Sequence, residues 1–311
     1  MYNVVFLGTP IFAKKVLNYL KERNDINIVC VITQPDKQVG RKKEIIFSPV
    51  KKYSVENNLK IFQPNKIKDI YEELDQLNFD LLITCAYGQF IPESILKLPK
   101  IVALNIHASL LPKLRGGAPI HKSIVYGEKT TGISLMEMVK KMDAGDVFVQ
   151  EAINIEINDN FETLRDKLIT LSINMLDKHL IEILKDPNNK SKQDETKVSF
   201  ALNITKEERQ INWNNSSLDV YNQIRGYIPE PISFSFYENK TWQILGAEIN
   251  EDDFNEYNEP GIILNISKNG VQIACKQGSV LLTDVKKEGQ KLQNIKQFYK
   301  NNIFEIGKKF T

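Results

Sequence analysis

The sequence predicts an α/β fold. A Rossmann-like N-terminal domain with a mostly parallel, helix-wrapped sheet is followed by a smaller C-terminal β-barrel of OB-like type. Three observations carry this expectation. Apolar strand runs alternate with helical apolar periods through the first half of the chain. A polar stretch from Lys185 to Glu195 then breaks the alternation. Beyond about Glu207 the pattern changes to short β-like runs separated by Asn, Gly and Lys turns. The expected organisation is a catalytic domain over 1–188, a linker over 189–206 and a C-terminal domain over 207–311.

Each element has its own signal. Tyr2 to Leu7 reads as a buried strand, and Gly8-Thr9-Pro10 as a turn in which Thr9 caps a helix and Pro10 is its first residue. Ile11 to Leu20 follows a helical period. Further strands are expected at Ile26 to Thr33, Asp80 to Ala86, Ile101 to Ile106 and Gly132 to Met138, with helices at Val50 to Asn57, Ile67 to Leu77 and Pro119 to Tyr126. Val147 to Ile155 reads as a strand leading into a helix from Phe161 to Leu184, where Leu164, Leu168, Leu171, Met175, Leu176 and Leu180 share one face. In the C-terminal part, strands are expected at Ser233 to Tyr237, Trp242 to Ile249, Gly261 to Ile266, Gly270 to Cys275 and Val280 to Val285.

Composition excludes several classes. The chain has 311 residues, 42% of them hydrophobic, enough for two cores. A formal net charge of +2 implies no uniform polyanion-binding surface, so nucleic-acid contacts must come from local patches. Cys30, Cys85 and Cys275 are far apart and form no CxxC pair, which argues against zinc and a disulfide scaffold and for a reducing compartment. Met1 leads almost at once into a strand, and no apolar run is long enough to span a bilayer. A cytoplasmic protein is expected. Gly8 stands alone without the G-x-G-x-x-G pattern, which speaks against NAD or ATP.

The chemistry concentrates where the Ile101 to Ile106 strand ends. Asn105 and His107 emerge at the carboxyl edge of the sheet, where open α/β folds bind ligands. Ser109, Leu110, Leu111 and Pro112 offer a wall and free backbone groups to a flat ligand, and Arg115-Gly116-Gly117 permits close backbone approach. Asp143 follows another strand and can reach the same crevice. An amide donor, an imidazolium and a carboxylate suit acyl transfer through a tetrahedral intermediate. Each residue alone has an ordinary structural reading, as a cap, a turn or a satisfied strand-end histidine. Their joint pattern sets them apart.

That pattern resembles the motif of the folate-dependent formyltransferases. The resemblance implies Asn105, His107 and Asp143 as the catalytic trio and 10-formyltetrahydrofolate as cosubstrate, without a metal. It implies Ser109, Leu110, Leu111 and Pro112 at the folate, with Tyr87 and Gly88 lining the pterin pocket. The family also acts on glycinamide ribonucleotide, sugar nucleotides and the folate itself. Three features instead resemble the members that act on methionyl-tRNA: the segment Phe6 to Ala13, the segment Thr33 to Lys51, and the C-terminal β-like domain. A monomer acting on initiator methionyl-tRNA is expected.

Between Gln34 and Lys52, six cations (Lys37, Arg41, Lys42, Lys43, Lys51 and Lys52) face Asp36 and Glu44. Such a loop can hold acceptor-arm phosphates, with Arg41, Lys42, Lys43 and Lys51 as the expected tRNA contacts. The lysine-rich stretch from Lys286 to Thr311 reads as a second phosphate-contact surface or a charged terminal helix. The rival from another class is an RNA-binding protein whose formyltransferase-like domain is inactive; the intact trio argues against it.

Overall fold

A computed structural model of the chain describes residues 1–39, 44–250, 252–290, 293–294, 299 and 303–311. Two compact units emerge: Met1–Pro119 with Thr131–Ile153 and Arg165–Leu202, and Ile120–Thr130 with Asn154–Leu164 and Asn203–Thr311.

The first unit is built on β1 (Tyr2–Gly8), β2 (Ile26–Ile32), β5 (Ile61–Phe62), β6 (Leu81–Cys85), β7 (Val102–His107), β8 (Thr130–Glu137) and β9 (Val147–Asn154), in the spatial order β5-β2-β1-β6-β7-β8-β9. A short hairpin, β3 (Lys37–Val39) with β4 (Glu44–Ile46), stands apart from this sheet. Strands β5, β2, β1, β6 and β7 pair in parallel, and β8 runs antiparallel to β7. Central strands read as continuous apolar runs because both faces are covered: Val4, Val5, Phe6 and Leu7 in β1, and Leu81, Leu82 and Ile83 in β6, are fully buried.

Helix α1 (Ile11–Glu22) turns Phe12, Ala13, Val16, Leu17 and Leu20 inward at helical spacing. Gly8 makes the strand-to-helix turn possible: a Cβ there would lie 2.5 Å from Ala13 Cβ and 2.9 Å from the Cys85 carbonyl oxygen. The capping expectation needs correction, since α1 begins at Ile11 behind Pro10 without a side-chain cap. Thr9 is occupied elsewhere. Its hydroxyl donates to the Tyr87 carbonyl at 3.0 Å and accepts from the Gln34 amide at 3.4 Å, joining the ends of β1, β2 and β6. Helix α2 (Pro49–Glu56) has the expected start: Ser48 accepts from the Lys51 amide at 3.0 Å, with Pro49 next to it. The segment expected as one helix near Ile67 divides into a 3-10 turn (Ile67–Ile70) and α3 (Tyr71–Asp75). Short helices α4 (Glu93–Leu96) and α5 (Pro119–Val125) and the long α6 (Phe161–Lys185) complete the order before the second half.

The second unit adds α7 (Ser217–Gly226), then β10 (Ser233–Tyr237), β11 (Lys240–Ile249), β12 (Ile263–Ser267), β13 (Gly270–Ala274), β14 (Ser279–Lys287) and β15 (Gln293–Asn294). These strands form an antiparallel sheet in the order β10-β11-β14-β13-β12, with β15 on β14. The chain end closes it into a barrel. Phe236 and Thr311 exchange backbone hydrogen bonds of 2.8 Å at the β10 edge, while Phe310 donates to Gly261 at 2.9 Å and Ile263 donates to Lys308 at 2.8 Å at the β12 edge. One short tail therefore satisfies both open edges. Phe310 is fully buried among Trp213, Tyr237 and Phe304. Of the lysine-rich stretch, residues 291–292, 295–298 and 300–302 lie outside the described residues, and Lys308 and Lys309 belong to this closing strand.

Candidate active site

Strand β7 supplies the first two site residues. Asn105 and His107 are two apart, so they share one face of the sheet at its carboxyl edge. His107 is buried and lies opposite Ser134 of β8, and Asn105 lies opposite Met136. Asp143 comes from the turn between β8 and β9, where its φ of 48° places it in the left-handed region. The structure brings the three together. Asp143 Oδ1 accepts from Asn105 Nδ2 at 3.5 Å and lies 3.7 Å from His107 Nδ1. Its other oxygen, Oδ2, accepts the backbone N–H of Gly116 at 2.8 Å.

Histidine 107 is fixed from its far side as well. Nε2 lies 3.1 Å from the Leu114 carbonyl oxygen, an acceptor, so this nitrogen carries a proton. Nδ1 is left facing Asp143. The ring is thus held by one hydrogen bond at Nε2, with the carboxylate facing Nδ1 at 3.7 Å.

The loop after β7 is held from within. Ser109 Oγ donates to the Lys113 carbonyl at 2.6 Å. Ser134 Oγ donates to the Ser109 carbonyl at 2.6 Å and accepts from the Leu111 amide at 3.1 Å. Gln150 Nε2 donates to Ser134 Oγ at 2.7 Å and to the Leu111 carbonyl at 2.8 Å. Ser109 and Leu111 are buried and shape the loop, whereas Leu110 and Pro112 are half-exposed. On the other expected pterin wall, the Tyr87 side chain packs into the apolar core with Leu7, Ile32 and Ile95, and burial pushes its phenol well above the ordinary range. Gly88 is exposed, with a φ of 82°. Gln34 Nε2 donates to the carbonyls of both Tyr87 and Gly88, at 3.0 and 3.1 Å. This turn therefore offers backbone rather than phenol.

Arg115 is fully buried, and its fork is spent on the stretch expected as a linker. Nε and Nη2 donate to Gln193 Oε1 at 3.1 and 2.8 Å, and Nη2 also donates to Glu195 Oε1 at 2.7 Å. Glu195 Oε2 accepts from Lys141 Nζ at 2.8 Å. The Arg115 guanidinium, and then Lys141, hold the Glu195 carboxyl down at about 2. Residues 191–201 run as a strap along the site: Ser191 pairs with Val147, Arg115 donates to the Ser199 carbonyl at 2.9 Å, and Ala201 donates to the Arg115 carbonyl at 2.8 Å. Gly116 permits this approach, because a Cβ there would lie 2.5 Å from the Ala201 carbonyl oxygen, and its φ is 131°.

Of the expected tRNA contacts, Arg41, Lys42 and Lys43 lie outside the described residues. Lys51 is ion-paired with Asp36, and its ammonium stands 3.9 Å from the Phe47 ring centroid. Ser134, Gln150 and Gln193 were not legible as site residues. The only signal was polar side chains set into otherwise apolar or linker-like stretches.

Residues 2–180 match the family described as formyl transferase, and residues 203–302 match the formyl transferase C-terminal domain. The chain belongs to the formyl transferase family. A methionyl-tRNA formyltransferase of Mycoplasma mycoides subsp. mycoides SC is 47% identical over 304 residues, covering 97% of this chain and 96% of its own length. One from Staphylococcus aureus strain MW2 is 43% identical over 294 residues, covering 94% and 93%. Among solved structures, an N-formyltransferase from Helicobacter canadensis in complex with folinic acid and dTDP-3-aminofucose shares the fold. Its TM-score is 0.67 at 18% identity, with 92% of this chain and all of that one covered. HypX from Aquifex aeolicus in complex with tetrahydrofolic acid has a TM-score of 0.64 at 15% identity, covering 98% of this chain and 48% of that one. Among the described residues, no helix is long and apolar enough to cross a membrane, and no group of three or more His, Cys, Asp or Glu is placed to hold a metal.

Proposed function

We propose that this formyl transferase family member moves the formyl group of 10-formyltetrahydrofolate to the α-amino group of methionine esterified to initiator tRNA, giving N-formylmethionyl-tRNA for translation initiation. The observation that carries the reading is 47% identity to a methionyl-tRNA formyltransferase along almost the entire length of both chains. Convergence of Asn105, His107 and Gly116 on Asp143 supplies the chemistry.

The α-amino group, with an ordinary pKa near ~8, is neutral in part at cytoplasmic pH and attacks the formyl carbon. A C–N bond forms, the carbonyl oxygen takes the electron pair, and the tetrahedral intermediate collapses as the bond to folate N10 breaks. The amine's proton is lost through water towards Asp143, and folate N10 gains a proton. The catalytic site's task is to hold the reactants and stabilise the oxyanion. Asn105 Nδ2 supplies an amide donor, protonated His107 supplies positive charge, and Asp143 orients both from one oxygen.

The folate is assigned to the loop of Ser109, Leu110, Leu111 and Pro112 and to the Tyr87-Gly88 turn. Leu110, Pro112 and the Gly88 backbone provide the contact surface, and the buried members provide the loop's shape. The tRNA is assigned to the basic segment with Arg41, Lys42 and Lys43, with the ion-paired Lys51 as a lesser contact, and to the C-terminal domain over 207–311. Residues 1–188 would carry catalysis, and 189–206 would join the two domains while lending the 191–201 strap to the site. We assign the enzyme to the cytoplasm, since its tRNA substrate belongs to translation, and take a monomer as its working state.

Incubation of purified protein with 10-formyltetrahydrofolate and methionyl-tRNA, followed by ester hydrolysis, tests the reading. Formylmethionine that disappears with Asn105→Ala supports both substrate and site. Folate binding without formylmethionine sends the acceptor assignment back to amino sugars.

A further inference from the structure

We propose that Gln193 is a positioning residue for Asp143, and that the strap carrying it is a built component of the active site. The inference rests on the reading of Asp143 given above.

One side-chain amide makes four contacts. Gln193 Nε2 donates to the Asp143 carbonyl at 2.9 Å and to the Gly145 carbonyl at 2.7 Å, while its Oε1 accepts both Arg115 donors. A glutamine amide offers two N–H groups and an acceptor with two lone pairs, and all of them are used here. The Asp143 turn needs such support. Its left-handed backbone, uncommon for a residue other than glycine, persists only where the surroundings over-determine it. Gln193 grips the carbonyls on both sides of Ala144. Glu137 donates to the Asp146 carbonyl at 2.9 Å, and Gly116 fixes the carboxylate.

The gripping group is itself immobilised. Ser191 and Val147 exchange backbone hydrogen bonds of 2.8 and 2.9 Å at one end of the strap. At the other, Ser199 accepts from Arg115 through its carbonyl and from Leu114 through its hydroxyl, at 2.9 and 3.0 Å. Between these anchors, buried Arg115 clamps Gln193 and Glu195 together. A displaced strap would therefore tilt the Asp143 carboxylate away from Asn105 and His107 without touching either.

The test combines Gln193→Ala, Gln193→Glu and Asp143→Asn, with kcat and KM measured for both substrates and melting temperature as the control. Gln193→Ala should lower kcat by roughly ten- to a hundredfold, the scale of a small misplacement at a reacting centre, with both KM values within about twofold. Gln193→Glu keeps an acceptor for Arg115 but turns an oxygen towards two carbonyls, so it should fail to restore kcat. In an Asp143→Asn background, Gln193→Ala should cost less than about twofold more, because both changes act on one group.

Near-normal kcat in Gln193→Ala, rescue by Gln193→Glu, or an undiminished effect in the Asp143→Asn background would each overturn the inference. Full turnover in Asp143→Asn alone would overturn the reading of Asp143 and this inference with it. An inactive Asp143→Asn beside an active Gln193→Ala would overturn the inference alone. Should Gln193→Ala fail to fold, Gln193→Asn, one methylene short of both carbonyls, carries the same comparison.

Discussion

The backbone N–H of Gly116 donates to Asp143 Oδ2 at 2.8 Å, leaving Oδ1 to face Asn105 and His107. A fixed donor thus decides which oxygen does which task. In Asp143→Asn, the amide oxygen can still accept from Gly116, but its NH2 then meets the Asn105 NH2 and His107 Nδ1. The expected outcome is a folded protein with kcat lowered about 10²- to 10³-fold, the usual cost of losing one electrostatic group at an acyl-transfer centre. Asp143→Ala also strands the Gly116 donor and should lose about 1–3 kcal/mol of stability besides. Single-turnover rates and urea midpoints of the two variants separate chemistry from folding; Asp143→Asn at wild-type rate would remove Asp143 from the mechanism.

Ser134 should govern folate binding more than turnover. Its hydroxyl is fully buried and takes part in three hydrogen bonds, to Ser109, Leu111 and Gln150, so it fixes the backbone of the loop assigned to folate. In Ser134→Ala the Leu111 N–H loses its acceptor, at about 1–3 kcal/mol. We expect KM for 10-formyltetrahydrofolate to rise several-fold while kcat at saturation changes little. A fall in kcat with KM constant would mean that the loop serves the reacting centre instead.

Much of this architecture could be read from residue order, and the exceptions have physical causes. Buried parallel strands such as Val4 to Leu7 are apolar on both faces, so they stand out without partners in view. That Asn105, His107 and Asp143 meet could be read from residue order, because a strand's carboxyl end and the turn after the next strand open onto one crevice. Helix α7 was not. Its buried face includes Asn222, Gln223 and Arg225, which breaks the apolar period. Gln223 satisfies its amide on the Glu208 and Gln210 carbonyls, and Arg225 reaches the carbonyls of Glu156 and Asp159. Those acceptors exist only after folding. Gln193 escaped for the same reason: a polar residue in a polar stretch gives no sign that it meets a turn 50 positions earlier.

His121 makes the second unit sensitive to acid. Its ring stacks on Phe161 at a centroid distance of 3.8 Å, and Nε2 donates to the Glu230 carbonyl at 3.0 Å. Burial lowers its pKa from 6.5 to about 4, against the Glu230 bond and with help from the Lys122 charge. Between those values the unfolded chain holds a proton that the folded chain refuses, so stability falls as pH drops from about 6.5 towards about 4. His121→Phe lacks this contribution. Urea midpoints for both proteins across that window should show the parent losing stability relative to the variant on acidification. Parallel curves would show that His121 does not titrate in this way.

Lys51 should contribute less to tRNA binding than its place in the basic segment suggests. Its ammonium is paired with Asp36 and lies over the Phe47 ring, and its side chain is only 16% exposed. The Gln63 amide and then the Lys51 ammonium hold the Asp36 carboxyl below the usual carboxylate range, so Asp36 remains a charged competitor for Lys51. A cation engaged on a phosphate contributes about one unit to the log–log salt slope of binding. Lys51→Ala should change that slope by clearly less than this, whereas Asp36→Asn should release the ammonium, tighten methionyl-tRNA binding at low salt and steepen the slope. The Asp36→Asn gain should vanish when Lys51→Ala is added, because the two changes act through one ion pair. Tighter binding that survives in the double variant would assign the gain to removal of local negative charge instead of to Lys51.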